Sequence, residues 1–298
     1  MTAKDNTGTK RPLIILTGPT AVGKTALSIG LAKAIQGEII SADSMQVYRG
    51  MDIGTAKITK EQMDGVPHHL IDIMDPSDSF HVMAFQQKCK EAMEDIYARH
   101  KIPILVGGTG FYIQSVLYDI SFTETDTDIE YRQELQKIAE EQGGYVLHAR
   151  LAKIDPEAAD EIHPNNVKRV IRALEFNHQT GEKISIHNEQ ERQKKSPYQF
   201  RYYVLSLPRE ILYDRINRRV DVMRRDGLVD EVKGLLQQGI TPNMVSMQGL
   251  GYKEIIDALQ GSCSFEEAFE RIKRETRHFA KRQFTWFRRE RDVTWIDK

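Results

Sequence analysis

The octapeptide GPTAVGKT occupies Gly18–Thr25 and follows the apolar run Leu13–Leu16. It matches the phosphate-binding pattern G-x-x-x-x-G-K-[ST], and the helix-like stretch after it completes the strand–loop–helix context that this pattern needs. Glycines allow a tight turn whose backbone N–H groups point at an anion, and the next helix adds its positive N-terminal end. A glycine-containing turn without a ligand is the alternative. The stretch predicts a P-loop at the start of an α/β fold.

Two side chains of this loop carry specific chemistry. Lys24 supplies a positive charge, and the hydroxyl of Thr25 is suited to Mg²⁺, the one cofactor we expect. The candidate phosphate contacts are Gly18, Pro19, Thr20, Ala21, Val22, Gly23, Lys24 and Thr25. A P-loop indicates a diphosphate or triphosphate ligand but does not identify a reaction.

The rest of the chain alternates short apolar runs with helix-like stretches, which is typical of a buried parallel sheet covered by helices. Strands are predicted at Leu13–Leu16, Glu38–Ser41, Ile102–Val106 and Tyr202–Leu207, and helices at Lys24–Gln36, Ala84–His100 and Phe265–Arg289. Between Tyr118 and Phe200 the sequence is charged, helical and poor in strands. We expect a P-loop nucleoside-triphosphatase-like α/β core with a parallel sheet from residues 1–118 and 200–298, ending in helices, and a helical insertion domain at 119–199.

Composition excludes several classes of protein. The 298 residues are 40% hydrophobic and 29% charged, unlike disordered or collagen-like chains. The two cysteines, Cys89 and Cys263, are too few for a disulfide framework and too far apart for a zinc ribbon. No apolar run approaches the length of a membrane span, and the polar stretch Met1–Pro12 lacks the core of a secretory signal. These features predict a cytoplasmic protein without a membrane partner, and we expect a monomer.

The formal net charge is −1, from 42 Lys and Arg against 43 Asp and Glu, which by itself argues against a polyanionic partner. The charges are segregated, however. Glu267–Arg291 has nine basic and four acidic residues, Arg209–Arg225 has six and three, and Ser121–Glu141 has two and seven. The acidic stretch begins with Glu124, Asp126, Asp128 and Glu130. The neutral total therefore conceals basic segments that could meet phosphates.

The basic C-terminal helix also carries an apolar stripe, which favours packing of one face on the core. The stripe comprises Phe269, Ile272, Thr276, Phe279, Gln283 and Trp286. Core packing is also favoured over base stacking for Phe284, Trp286 and Phe287. Some arginines of this helix remain available to RNA.

One acidic residue stands where group transfer would need it. The strand at Ile102–Val106 runs into Gly107–Gly110 without the Asp that organises Mg²⁺ and water in ordinary P-loop ATPases. Asp43 instead follows the strand at Glu38–Ser41, and strand ends converge on the ligand in an open parallel sheet. Asp43, Thr109 and the P-loop thus face one cleft, which suggests transfer from a phosphorylated donor to an acceptor that Asp43 deprotonates. A turn role is the alternative for both Asp43 and Thr109.

The adjacent His68 and His69 follow Pro67. A pair of histidines could ligate a metal, but no carboxylate or cysteine stands at ligand spacing. A hydrogen-bonded structural pair is the favoured interpretation.

Seven segments together resemble the tRNA dimethylallyltransferases, also called tRNA isopentenyltransferases. They are GPTAVGKT (Gly18–Thr25), SADSMQVYRGMDIGTAK (Ser41–Lys57), GVPHHLID (Gly65–Asp72), VGGTGFY (Val106–Tyr112), RVIRALE (Arg169–Glu175), QGLGYKE (Gln248–Glu254) and KRQFTWFR (Lys281–Arg288). The resemblance implies transfer of a dimethylallyl group from dimethylallyl diphosphate to N6 of the adenosine adjacent to the anticodon, in tRNAs that read codons starting with U, with release of diphosphate. It also implies that the P-loop holds the donor diphosphate and not ATP, and that the anticodon stem-loop of tRNA is the partner. The zinc finger that eukaryotic members often carry is absent from this sequence, which resembles the shorter bacterial type.

The resemblance also assigns roles to residues. Asp43 matches the general base, Thr109 and Arg219 match groups near the diphosphate and the flipped base, and Arg215 and Arg218 are rivals of Arg219 for that place. The expected tRNA contacts are Asp43, Ser44, Met45, Gln46, Lys168, Arg169, Val170, Ile171, Arg172, Gln248, Gly249, Leu250, Gly251 and Tyr252.

Three other functions remain open at this point. A P-loop kinase of small molecules would use Asp43 on a hydroxyl acceptor, although it would not need the insertion or the basic helix. An adenylate isopentenyltransferase would use the same donor with a free nucleotide as acceptor. A non-catalytic RNA-binding module would use the P-loop as a switch.

Overall fold

The computed structural model describes residues 9–122 and 128–298. Six strands form one sheet in these residues: β1 (Pro12–Thr17), β2 (Glu38–Ala42), β3 (His68–His69), β4 (Pro103–Gly107), β5 (Gln199–Ser206) and β6 (Val293–Asp297). All neighbours pair in parallel, in the order β3-β2-β4-β1-β5-β6. The chain is thus an α/β protein with a P-loop nucleoside-triphosphatase-like core, as predicted.

Helices connect these strands and extend the chain beyond them. Those before the insertion are α1 (Lys24–Ile35), α2 (Lys60–Met63), α3 (Val82–Ala98) and α4 (Gly110–Leu117). Those after it are α10 (Arg209–Arg225), α11 (Leu228–Gln237), α12 (Tyr252–Leu259) and α13 (Phe265–Phe287), with a short 3-10 helix at Ser246–Gln248. The insertion itself contains α5 (Ile129–Gln142), α6 (Gly144–Ile154), α7 (Pro156–Glu161), α8 (Val167–Thr180) and α9 (Ile184–Gln193).

The central strands are covered on both faces, which explains their unbroken apolar sequences. Every residue of β2 and β4 is buried. Side chains from both strands join a core cluster with residues of β1, α10 and α13, among them Leu16, Ile39, Ile104, Ile216 and Ala280. Since parallel sheets bury both faces, their strands read as continuous apolar runs, and that signal made these strands predictable.

The end of the chain differs from the prediction. Val293–Asp297 is a strand that pairs in parallel with β5, whereas helices were expected to continue to the C-terminus. In the sequence VTWID, Thr294 and Asp297 interrupt the apolar residues, and this edge strand is only partly buried, so it lacks a continuous apolar run. Strand β3 was also missed because it has two residues.

By internal contacts the chain divides into two compact units, one formed by Met1–Leu117 with Ser196–Lys298 and the other by Tyr118–Lys195. The predicted insertion, 119–199, ends later than the second unit. The reason is that the segment after residue 195 bonds to the first unit: Lys10 Nζ donates to Ser196 O at 2.7 Å, and the backbone N–H of Gln199 donates to Arg11 O at 2.9 Å.

The second unit has its own hydrophobic core, which includes Leu135, Leu147, Leu151, Val170 and Leu174. Buried Glu175 receives two hydrogen bonds from Arg132, at 2.6 and 2.7 Å. Of the predicted acidic stretch, Glu124 and Asp126 lie outside the described residues. Asp128 caps α5 by accepting the N–H of Tyr131 at 2.9 Å.

No helix within residues 9–122 and 128–298 combines the length and apolar character that crossing a bilayer requires.

Candidate active site

The carboxyl ends of the central strands form one row across the sheet. Thr17 of β1 is in register with Gly107 of β4, which is in register with Ala42 of β2; on the other side Thr17 is in register with Val204. The segments that follow these residues therefore leave the sheet at a common edge, where ligands of open α/β sheets bind. Three predicted site elements, the P-loop, Asp43 and Thr109, lie there together.

The P-loop backbone depends on its two glycines. Gly18 has φ +142° and Gly23, which precedes α1, has φ +98°. A Cβ at Gly18 would lie 2.7 Å from the carbonyl oxygen of Leu205, so only glycine fits between β1 and β5. This turn places the N-terminal end of the 12-residue helix α1 behind the loop, which favours an anion.

Lys24 is folded back over the loop. Its Nζ donates to the carbonyl oxygens of Gly18 and Pro19, each at 2.9 Å. Burial lowers the pKa of Lys24 to about 8; the positive charge of Arg219 lowers it as well, while Asp43 raises it. Arg219 and Asp43 therefore both lie close enough to Lys24 to influence its charge.

Thr20 is held from two directions. Its backbone N–H donates to Oε1 of Gln283 at 2.9 Å, and its hydroxyl accepts from Nη1 of Arg219 at 3.4 Å. Gln283 is buried on α13, and its Nε2 donates to Gly108 O at 3.0 Å. The P-loop and the segment after β4 are therefore joined by a residue from the C-terminal helix.

One carboxylate oxygen of Asp43 accepts the hydrogen bonds of a turn, and the other remains available. Its Oδ1 accepts the N–H of Met45 at 2.8 Å and that of Gln46 at 3.3 Å. No donor from the described residues bonds to Oδ2, and the residue is half-buried. The turn role and the proposed base are therefore compatible, because each uses a different oxygen.

Thr109 is linked through its backbone to the residue before Asp43: its N–H donates to Ala42 O at 3.3 Å. Its own carbonyl accepts the N–H groups of Tyr112 and Ile113, which starts α4. The tight approach of β2 and β4 requires glycine at 107, where a Cβ would lie 2.1 Å from Ala42 O. Thr109 is half-buried at this edge.

The three candidate arginines differ in placement. Arg219 is half-buried, and burial lowers its pKa. Arg218 is exposed and donates to Asp214 at 2.9 Å. Arg215 is also exposed, although its Nη1 would lie 3.8 Å from a Cβ at Gly23. Of the three, Arg219 is the one that donates a hydrogen bond to a P-loop side chain, Thr20.

The predicted tRNA contacts fall into exposed and buried side chains. Lys168, Arg169, Arg172 and Gln248 are exposed, and Ser44, Met45, Gln46, Gly249 and Leu250 are half-buried. Val170 and Ile171 pack in the core of the second unit, and Tyr252 is fully buried with its hydroxyl on Glu231 at 2.7 Å. Among the predicted contacts, the side chains presented at the surface are therefore those of the exposed and half-buried residues. Gly251 is also buried, and precedes α12 with φ +97°.

The histidine pair is structural. His69 Nε2 lies 2.8 Å from Glu38 Oε2, and His68 Nδ1 lies 2.8 Å from Val66 O. Both residues form β3 beside β2. The interpretation of a hydrogen-bonded pair is confirmed.

The stripe of α13 packs inward as expected for Phe269, Ile272 and Gln283, which are buried, and Phe287 is buried as well. Phe284 is half-buried and stacks on Trp295, with ring centroids 6.2 Å apart. Trp286 is half-buried too and meets Phe111 edge-on at 6.3 Å. These contacts favour core packing for the three aromatic residues.

Family models match most of the chain. The model described as IPP transferase matches residues 46–290, and one described as Isopentenyl transferase matches residues 12–79. The chain belongs to the IPP transferase family. A tRNA dimethylallyltransferase of Lachnoclostridium phytofermentans is 60% identical to it over 97% of this chain and 92% of that protein.

Solved structures of related transferases are similar to this chain in sequence and in fold. A full-length tRNA isopentenylpyrophosphate transferase from Bacillus halodurans is 51% identical, with a TM-score of 0.73 over 97% of this chain and 90% of that one. A eukaryotic dimethylallyltransferase acting on tRNA is 34% identical, with a TM-score of 0.80 over 97% of this chain and 74% of that one.

The donor set of this IPP transferase is compatible with Mg²⁺. Within residues 9–122 and 128–298, no group of three or more His, Cys, Asp or Glu side chains could hold a metal ion by itself. Mg²⁺ usually keeps several waters and binds substrate phosphates with one or two protein ligands. The exposed Thr25 at the end of the P-loop fits that kind of site, and the bound diphosphate would supply the other ligands.

For two residues of this IPP transferase, Gln283 and Glu231, the sequence predicted no hydrogen-bonding role. Gln283 belongs to the predicted stripe of α13, and a glutamine within a mostly apolar stripe is a signal of a buried hydrogen-bonding role. Glu231 carries no such signal, because it resembles any acidic residue in the first turn of a helix.

Proposed function

We propose that this protein transfers the dimethylallyl group of dimethylallyl diphosphate to N6 of the adenosine adjacent to the anticodon, in tRNAs that read codons starting with U. The observation that carries the proposal is the juxtaposition of a P-loop with Asp43 and Thr109 at one sheet edge, where β4 ends in glycines and not in an acid. A phosphate site beside a free carboxylate oxygen suits transfer to an acceptor better than hydrolysis.

The donor diphosphate belongs in the P-loop. Backbone N–H groups of the loop, the Lys24 ammonium and the N-terminal end of α1 favour its negative charge. Arg219 adds a half-buried cation that has no carboxylate partner among the described residues, which is the arrangement expected of an anion-binding group. Mg²⁺ held by Thr25 and the diphosphate would neutralise charge on the leaving group.

The reaction breaks the bond between C1 of the allyl group and the diphosphate oxygen, which leaves with the electron pair. N6 of the adenine forms the new bond to C1, and its proton passes to Oδ2 of Asp43. Because the N6 lone pair is delocalised into the ring, activation rests mainly on the groups that stabilise the departing diphosphate. Asp43 contributes as a general base, which is typically worth about a hundredfold or more in rate.

An RNA acceptor is supported by the basic surface of α13. Lys281, Arg282, Arg288 and Arg289 are exposed and have no acidic partner within the described residues. A groove of about 1040 Å³ at the carboxyl end of β5 is lined in part by Lys281, Arg288, Tyr213 and Trp295. Basic and aromatic side chains in one groove suit single-stranded RNA, and a base in an anticodon loop costs little to unstack.

Incubation with labelled dimethylallyl diphosphate and unmodified total tRNA, followed by nucleoside analysis, tests the proposal. We expect label in N6-isopentenyladenosine next to the anticodon and release of diphosphate. Label in AMP and not in tRNA would favour an adenylate isopentenyltransferase. ATP turnover without prenyl transfer would indicate a kinase, and tRNA binding without diphosphate release a non-catalytic RNA-binding protein.

A further inference from the structure

One carboxylate on α11 receives four hydrogen bonds from two distant segments. Oε2 of Glu231 accepts the backbone N–H groups of Asp52 at 2.8 Å and Ile53 at 2.7 Å. Its Oε1 accepts the N–H of Gly54 at 3.0 Å and the hydroxyl of Tyr252 at 2.7 Å. Hydrogen bonds to an ionised acceptor are the strong ones in proteins, so this group holds the segment 52–54 firmly.

The groups around Glu231 are arranged to bind a carboxylate. Three consecutive N–H groups that converge on one point form an anion-binding nest, and Glu231 fills it from within the protein. A Cβ at Gly54 would lie 2.6 Å from ring carbons of Tyr252, so the loop approaches that ring as closely as only glycine allows. The ring is itself fully buried.

The held segment leads directly to the acceptor side of the site. The carbonyl oxygens of Thr55 and Ala56 accept from Nε2 of Gln46, at 3.3 and 3.4 Å. Oε1 of Gln46 accepts from the hydroxyl of Ser41 at 3.3 Å, and its backbone N–H donates to Oδ1 of Asp43 at 3.3 Å. The backbone of residues 52–56 and the hydrogen bonds of Gln46 therefore connect Glu231 to Asp43.

A second tie reinforces the same loop. Nζ of Lys57, a nearly fully buried side chain, donates to Tyr48 O and to Oδ1 of Asp52, both at 2.6 Å, and to Oδ1 of Asp72 at 2.5 Å. By contrast, no hydrogen bond in the described part of the chain joins residues 52–57 to the P-loop. Residues 52–57 are therefore connected to the acceptor side of the site, which carries Asp43, and not to the P-loop.

We propose that Glu231 is a positioning residue for the acceptor: it holds residues 52–56 and, through Gln46, orients the Asp43 carboxylate without touching either substrate. The inference rests on the proposed function, since it assigns Asp43 to the acceptor. Neutral glutamine at 231 would leave one oxygen for four donors and would turn an NH₂ group toward backbone N–H groups. The loop and Asp43 would then shift, and small misplacements of reacting groups are costly in rate.

The test compares Glu231→Gln with Asp230→Asn, its exposed neighbour on α11, in the full-length protein. We expect Glu231→Gln to lower kcat at saturating tRNA by roughly tenfold to a hundredfold, given the sensitivity of rate to position. Equilibrium affinity for dimethylallyl diphosphate, measured without tRNA, should change much less than kcat, because no hydrogen bond in the described part of the chain joins the P-loop to residues 52–57. Asp230→Asn should leave kcat and donor affinity unchanged.

Tyr252→Phe keeps the test decisive if Glu231→Gln does not fold, because it removes one of the four donors while keeping the buried ring. It should lower kcat in the same direction by a smaller factor. An unchanged kcat in whichever of these two variants folds, or a parallel loss of donor affinity, would overturn the inference. Inactive wild-type protein would instead overturn the proposed function.

Discussion

The carbonyl oxygen of the Gln283 side chain accepts the backbone N–H of Thr20 at 2.9 Å, across 263 positions of sequence. The same amide donates to Gly108 O at 3.0 Å, and a Cβ at Gly108 would lie 2.2 Å from its nitrogen. One buried side chain of α13 therefore sets the spacing between the P-loop and the loop that carries Thr109. Helix α13 therefore helps to shape the P-loop region as well as presenting a basic surface.

Gln283→Ala should lower the free energy of unfolding by about 1 to 2 kcal/mol, because the half-buried Thr20 N–H and Gly108 O both lose their partner. Affinity for diphosphate should fall as well, because the distance between the P-loop and the loop that carries Thr109 would no longer be fixed. Urea unfolding and equilibrium binding measure the two effects. Thr285→Ala is the control on the same helix, because its exposed hydroxyl bonds only to Lys281 O of its own helix. Equal effects of the two variants would contradict the role given to Gln283.

Donor binding should depend on pH through Lys24. Burial lowers the pKa of this ammonium to about 8, so its charged fraction in the free protein falls as the pH rises through that value. Affinity for inorganic diphosphate should therefore weaken above about pH 8, while Lys24→Arg should remove this dependence, since a guanidinium stays ionised. Lys24→Ala should bind weakly at every pH. Calorimetric titration from about pH 7 to pH 10 tests this, and the same slope in Lys24→Arg would contradict it.

Asp43→Asn separates the two roles of that residue. The amide keeps an oxygen for the N–H groups of Met45 and Gln46, so the turn should persist, but it cannot take a proton from N6. Single-turnover transfer should fall by roughly a hundredfold or more, with tRNA binding retained. Wild-type single-turnover rates in this variant would refute the base assignment. Asp43→Ala removes the turn acceptor as well and should also reduce thermal stability.

Arg219 and Arg218 offer a matched pair on α10. Arg219→Gln should lower single-turnover transfer by roughly a hundredfold, a typical loss when a group that stabilises transition-state charge is removed. Arg218→Gln should have little effect, because that exposed side chain pairs with Asp214. Rapid-quench measurement with saturating donor and tRNA compares them. A larger loss in Arg218→Gln would transfer the assignment to that residue.

Glu290 should make stability depend on pH. Burial raises the pKa of its carboxyl from 4.5 to about 7, although Gln114 donates to it at 2.8 Å. A raised carboxyl pKa means that the folded protein favours the protonated form, so this contribution to stability is full below about pH 4.5 and is lost as the pH rises to about 7. Glu290→Gln keeps the Gln114 contact and should be more stable than wild type at pH 8 by about 3 kcal/mol, with little difference near pH 4.5. Denaturant unfolding at both values tests the sign; an equal difference at both would contradict it.

Local sequence decided the features that depend on local backbone geometry. Gly18 and Gly23 indicate a turn with positive φ angles, and at Gly18 only glycine fits against β5. The apolar runs of β2 and β4 indicate strands covered on both faces. The edge strand at Val293–Asp297 was not predicted because three of its five side chains are exposed to water. The buried positions of Val170 and Ile171 show that a basic helix segment also contributes to a core.

What the sequence by itself determined is a parallel α/β core whose P-loop, Asp43 and Thr109 stand at strand ends, together with the segments that mark its family. Only the tertiary structure decided which distant groups hold those segments in place. Gln283 reaches Thr20 because α13 packs beside the P-loop, and Glu231 fills the backbone nest at residues 52–54 because α11 lies against that loop. A motif encodes the conformation of its own few residues, whereas a hydrogen bond between segments some 180 or more positions apart exists only after the helices have packed.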